Sequence, residues 1–225
     1  MAYTQNFGTN KIMPVTGESN NSWRDKMKQR EKMKAKDYIT CGILSLMNMV
    51  RMLISAVMNV SGYTALFYGA VAAFFVGILY VIVTCKVPKF GAVLVFTIVP
   101  CIYFFASGVI EGLIGAAGAL AFAFLAELIL KKDPLTMKKI TLSGIVYTLY
   151  MSIIGMAENF LFTDHYCDAA LEHGINETVV EQMRKMYYVK PLWIVVILVT
   201  ALTTFGGISL GRSIMKKHLK KAGIV

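Results

Sequence analysis

Cys41, Ser45, Asn48, Arg51, Ser55 and Asn59 recur at spacings of three and four within an otherwise apolar run, which sets them along one stripe of a helix. Polar groups are costly in hydrocarbon, so this stripe must face protein or a wet cavity. Arg51 carries the sharpest chemistry: its guanidinium either pairs with a buried carboxylate or meets an anionic group of a ligand. Glu111 and Glu158 are the carboxylates that could serve it, and at this point both roles stay open. A second stripe, Thr141, Gly144, Thr148, Ser152, Gly155 and Asn159, is small and polar and suits close helix packing. Tyr147, Tyr150 and Glu158 lie beside it. The candidate substrate-binding residues are therefore Asn48, Arg51, Asn59, Glu111, Tyr147, Glu158 and Asn159.

The elements that must position these groups are membrane helices. In 225 residues, 56% are hydrophobic and mean hydropathy is +0.60, which argues against a soluble globule. Crossing a hydrocarbon core of about 30 Å takes about 20 apolar residues. Six segments meet that need: Ile39 to Val60, Tyr63 to Thr84, Phe90 to Ser107, Val109 to Leu130, Ile140 to Phe162 and Pro191 to Gly211. The expected fold is all-α, a six-helix polytopic membrane protein.

Charge sets its orientation. Lys and Arg number 23 against 13 Asp and Glu, a formal net charge of +10. Nineteen of these bases gather in the tail ending at Lys36, at Lys86 and Lys89, at Lys131 to Lys139, and from Arg212 to Lys221, all on one side, while the opposite side has only Arg184, Lys185 and Lys190 among five acidic residues. The positive-inside rule then puts both termini in the cytoplasm, so the charge reads as topology and not as a nucleic-acid footprint. Residues 1–37 form a cytoplasmic tail with a basic stretch, residues 38–213 the membrane domain, and residues 214–225 a basic tail. No removable signal peptide is read before the first span.

The one sizeable outer loop spans residues 163–190. Asn176 is a helix cap, and Val179, Val180, Met183, Met186 and Tyr187 follow at helical spacing, which predicts a short amphipathic helix. It is either a lid over the outer mouth or a helix resting on lipid headgroups. Glycines at 112, 115 and 118 read as close helix contacts. Four cysteines are present, and only Cys167 falls outside, so no disulfide is expected. His165, Cys167, Asp168 and His173 make only a loose cluster, and no metal or other cofactor is expected. The sequence has no GxxxxGK[ST], HExxH or GxSxG motif, so no enzymatic activity is read from it.

Four strings carry a family resemblance: KAKDYIT (Lys34 to Thr40), KVPKFGA (Lys86 to Ala92), LAELIL (Leu125 to Leu130) and GRSIMKKHLKKAGIV (Gly211 to Val225). Together they resemble the Trep_Strep integral membrane family throughout Lys34 to Val225. That family is similar to the substrate-binding S-components of energy-coupling factor (ECF) transporters, bacterial ABC-type importers for vitamins and other micronutrients. The resemblance implies a bacterial cell-membrane protein that captures a small molecule outside. It also implies three partners, a transmembrane T-component and two ABC-type ATPases, which would explain the missing phosphate loop. Many S-components carry two alanines four apart on the first helix; here Gly42 with Leu46, or Cys41 with Ser45, stands in their place. The other reading is a membrane-embedded enzyme or channel working through Arg51, Glu111 and Glu158.

Overall fold

The computed structural model describes residues 32–56, 60–107, 109–131 and 135–221. Among the described residues the chain is helical and has no strand. The elements are α1 (Ala35–Ala56), α2 (Gly62–Leu66), α3 (Tyr68–Lys86), α4 (Ala92–Ser107), α5 (Val109–Leu130), α6 (Met137–Ile153), α7 (Ala157–Leu161), α8 (Thr163–Glu172), α9 (Glu177–Tyr187) and α10 (Pro191–Lys221). Tyr68–Lys86, Gly112–Leu130 and Pro191–Lys216 are long and apolar enough to cross a membrane, and Ala92–Phe105 is a shorter apolar helix. At 17 residues α6 falls short of that length, and α1 carries the polar stripe.

The centre of the bundle is α3, which packs against α1, α4, α6 and α10. Its closest neighbour is α10, because glycines remove the side chains that would hold the backbones apart. A Cβ on Gly207 would lie 2.0 Å from the Phe74 carbonyl oxygen, and one on Gly77 would lie 2.8 Å from that of Thr204. Gly112 does the same for α4 and α5, where a Cβ would meet the Phe104 oxygen at 1.9 Å. Thr148 and Thr204, with hydroxyls 2.7 Å apart, tie α6 to α10.

Two helix irregularities are compensated by neighbouring helices, as a low-dielectric interior requires. Pro100 lies inside α4 and has no N–H for the Phe96 carbonyl. The Ser45 hydroxyl, from the α1 stripe, donates to that oxygen at 2.6 Å. The fifth predicted segment is not continuous: α6 ends at Ile153 and α7 starts at Ala157. Gly155 donates to Tyr150 five residues back instead of four, a wide turn in which a Cβ would lie 2.7 Å from the Met151 oxygen. The Trp193 indole N–H then donates to the Ser152 carbonyl at 2.6 Å. Gly155 is exposed, while Gly144, Thr148, Ser152 and Asn159 of the same stripe are buried.

Three of the four family strings come close together at one end of the bundle. Asp37 accepts from the Lys34 N–H at 2.8 Å, half of a capping box at the start of α1, and from Lys89 Nζ at 2.8 Å. These two bonds hold the Asp37 carboxyl below its ordinary range, the Lys89 bond contributing most. Glu127, buried in α5, accepts from the Val93 N–H at 2.7 Å, in the first turn of α4. Glu127→Ala is expected to lower stability by about 2 kcal/mol, since the bond from the Val93 N–H is lost and that donor stays buried. Thermal melts of the purified variant measure it; an unchanged melting temperature would show that the cap contributes nothing.

Candidate functional site

The α1 stripe faces the interior. Cys41, Ser45 and Asn48 are fully buried and Arg51 is 6% exposed. Asn59 and the side chains of Ser55 and Glu111 lie outside the described residues. Arg51 Nε donates to Asn48 Oδ1 at 3.0 Å, a contact one helical turn back that fixes the amide's orientation, because only its oxygen can accept. The Asn48 Nδ2 amide nitrogen consequently points away, buried and without a hydrogen-bond partner among the described residues. An unmatched buried donor of this kind costs about 1–3 kcal/mol. Among the described residues Arg51 is the one buried cation.

Arg51 reaches across the bundle. Tyr150, Tyr147 and Tyr68 lie within its electrostatic reach, although α1 packs mainly on α3 and α4, and α6 mainly on α3, α5 and α10. Side chains, not backbones, therefore fill the space between α1 and α6. Tyr147 is held firmly: its hydroxyl is 3.2 Å from Thr97 Oγ1, and its ring stacks on Tyr80 with centroids 5.5 Å apart. Tyr150 lies 5.7 Å from Tyr147, centroid to centroid, and edge-on to Phe104 at 6.5 Å. The hydroxyls of Tyr68 and Tyr150 make no hydrogen bond among the described residues.

Asn159 and Glu158 belong to α7, in a second apolar cluster beyond this site. Asn159 is buried and faces the hydroxyls of Tyr187 and Tyr166. Burial pushes the Tyr187 phenol up to about 12, so it stays neutral across the physiological range. Tyr68 lies within electrostatic reach of both Tyr166 and Tyr187, and so links the Arg51 group to the Asn159 group. Glu158 is half-buried.

The segment of residues 163–190 packs against this second cluster. Asn176 caps α9 by accepting from the Thr178 N–H at 2.9 Å, and Val180, Met183 and Tyr187 are buried against Leu66, Phe160 and Cys167. The amphipathic face thus packs on protein. The Phe160 ring is stacked on Trp193, centroids 5.6 Å apart, and edge-on to Tyr187. At the start of α2 the Gly62 N–H donates to Gln182 Oε1 at 3.2 Å, and a Cβ there would lie 2.5 Å from Gln182 Cβ. On the exposed side Arg184 bonds Asp164 at 2.6 Å and Asp168 at 2.8 Å, joining α9 to α8.

Cys167, in α8, is fully buried, and burial pushes its thiol up. It is expected to resist maleimide in the folded protein and to react only on denaturation. Mass-spectrometric counting of adducts tests this, and fast labelling under native conditions would contradict the packing of Cys167 against α9. His165, Asp168 and His173 are exposed, and among the described residues no three His, Cys, Asp or Glu side chains gather as a metal site.

Sequence reasoning missed Tyr68 and Glu127. Tyr68 looks like an interfacial aromatic at a span end, and nothing in its spacing separates it from that. Glu127 reads as the polar end of an apolar run.

No curated protein and no solved structure matches the chain. The profile of the Trep_Strep family, described as a hypothetical bacterial integral membrane protein, matches residues 35–221. That match takes in all ten helices named above, and with apolar helices long enough to span a bilayer, the chain belongs to the Trep_Strep family of bacterial integral membrane proteins.

Proposed function

We propose that the chain is the substrate-binding subunit, or S-component, of an ECF-type importer that captures a vitamin or other small micronutrient outside the cell. The observation that carries this reading is the buried Asn48 amide nitrogen, which among the described residues has no acceptor, beside the Arg51 guanidinium and the hydroxyls of Tyr68 and Tyr150, which make no hydrogen bond among those residues. A chain built only to pack would match that donor; a binding site leaves it for its ligand. The reading includes six spans with both termini in the cytoplasm, the lid α9 outside, and no catalysis by the chain itself. Energy comes from a T-component and two ABC-type ATPases.

Co-expression with those partners should yield a stable complex in detergent, and the isolated chain should hydrolyse no ATP. Cysteine introduced at exposed Asp168 should be labelled from outside in intact cells, and cysteine at Arg212 only after permeabilisation. Labelling of Arg212→Cys in sealed cells would overturn the topology. Chemical turnover of a bound compound by the isolated chain would make it a membrane-embedded enzyme instead.

A further inference from the structure

We infer that the interior site takes a planar ring compound that presents a carbonyl oxygen to the buried Asn48 amide nitrogen, with its ring against Tyr147, Tyr150 and Tyr68. The inference deepens the binding-subunit reading and rests on it for its biological meaning. It starts from the amide. Arg51 Nε–H can only donate, so the atom it meets at 3.0 Å is the amide oxygen. Nδ2 is the end that faces away, in a fully buried side chain and with no acceptor among the described residues. This holds whatever else the guanidinium bonds, because the orientation of the amide depends on Nε alone. A ligand that satisfies Asn48 must therefore bring an acceptor, and one that brings only donors would set two donors against each other.

A carbonyl oxygen carries no hydrogen of its own, so it accepts from Nδ2 without opposing it; amides, lactams and carboxylates share this oxygen. The surroundings favour a flat body. Asn48 and Arg51 lie about one turn apart on the buried stripe of α1, and Arg51 has Tyr150, Tyr147 and Tyr68 within electrostatic reach. Tyr147 is fixed by Thr97 and by stacking on Tyr80, while Tyr150 is inclined to it at 51° and stands edge-on to Phe104. A planar ring meets one such aromatic by stacking and another by its edge, which suits it better than a flexible chain or a sugar. The hydroxyls of Tyr68 and Tyr150 make no hydrogen bond among the described residues. Each of them can donate or accept, so they add contacts without narrowing the class, and Asn48 is the group that selects.

The discriminating variant is Asn48→Asp. It keeps the oxygen that Arg51 Nε–H bonds and the size of the side chain, but replaces the amide nitrogen with an oxygen that only accepts. A carbonyl then meets repulsion where it met a donor. Asn48→Leu is the second variant, which removes the donor without adding charge.

Thermal melts of the purified full chain test this with oxindole, benzamide and benzoate. Indoline and aniline, which lack the carbonyl and keep an N–H, are the counterparts, and cyclohexanecarboxamide keeps the carbonyl on a puckered ring. At least one of the planar carbonyl compounds should raise the melting temperature where indoline and aniline do not. Benzoate alone would assign the oxygen to a carboxylate; oxindole or benzamide would assign it to a neutral lactam or amide. Both variants should weaken the compound that binds, Asn48→Asp by about a hundredfold. Asn48→Asp should respond to indoline or aniline instead, a reversal that a purely structural role for Asn48 would not produce. Equal shifts with and without the carbonyl, no shift with any carbonyl compound, or wild-type affinity in either variant would overturn the proposal. An equal shift from cyclohexanecarboxamide and benzamide would overturn the planar body. Uptake by the reconstituted complex separates the two levels. ATP-driven accumulation of a compound that binds Asn48→Asp as tightly as the wild-type chain would refute the Asn48 assignment and leave the importer reading standing. Carbonyl-dependent binding without uptake of any compound by the complex would uphold the assignment and refute the importer role.

Discussion

Arg51→Met should abolish ligand binding while the bundle still folds. Methionine fills much of the same volume without charge or donors, so the loss reports the guanidinium itself. Removing one partner of a buried, hydrogen-bonded charge contact costs about 2–5 kcal/mol, or roughly 30-fold to several thousandfold in affinity. Isothermal titration with whatever compound the wild-type chain retains measures it. If the main role of Arg51 is to pair with Glu111 or Glu158, the same change should instead lower the melting temperature, because a carboxylate is left buried alone. Removing that carboxylate as well should then restore part of the loss. Double-mutant cycles with Glu111→Gln and with Glu158→Gln, read by both melts and titration, distinguish the two. Unchanged binding and unchanged stability would leave the site without foundation.

The second large effect lies far from the site. Gly207→Val should prevent assembly of the bundle or cost more than about 3 kcal/mol, the upper range for overpacking. The Cβ would meet the Phe74 carbonyl oxygen at 2.0 Å, and both partners are backbone in the most closely packed helix pair. Neither can rotate away. Gly42→Ala is the matched control, since a Cβ there meets nothing within 4 Å. Size-exclusion profiles and melts should show Gly42→Ala as wild-type and Gly207→Val as aggregated or strongly destabilised. A well-behaved Gly207→Val protein would mean that α3 and α10 do not approach as described.

These contrasts show what the sequence can and cannot convey. The α1 stripe was legible because burial of Cys41, Ser45, Asn48 and Arg51 follows helical periodicity, which sequence preserves. The amphipathic α9 was legible for the same reason. Whether its face rested on lipid or protein was not, because that depends on Leu66 and Phe160, far away in the chain. The break between α6 and α7 is a local event around Gly155 whose cost is offset by Trp193 across the bundle. Likewise, the partner of the carbonyl freed by Pro100 is Ser45, 51 positions from Phe96. Periodicity marked Asn48 as hidden, but only the Arg51 contact reveals that its amide nitrogen has no acceptor among the described residues. Cys167 illustrates the opposite error: a loop position on paper, it is core in the folded chain.

The central claim is that this interior site captures a small molecule for ATP-driven import. It is tested most directly by reconstituting the chain with a T-component and two ATPases in liposomes, with ATP on the ATPase side, and identifying by mass spectrometry what accumulates from a growth-medium extract. The account predicts accumulation of a compound that requires hydrolysable ATP and is lost with Arg51→Met. A complex that assembles and hydrolyses ATP, yet accumulates the same compounds with Arg51→Met as with the wild-type chain, would contradict it.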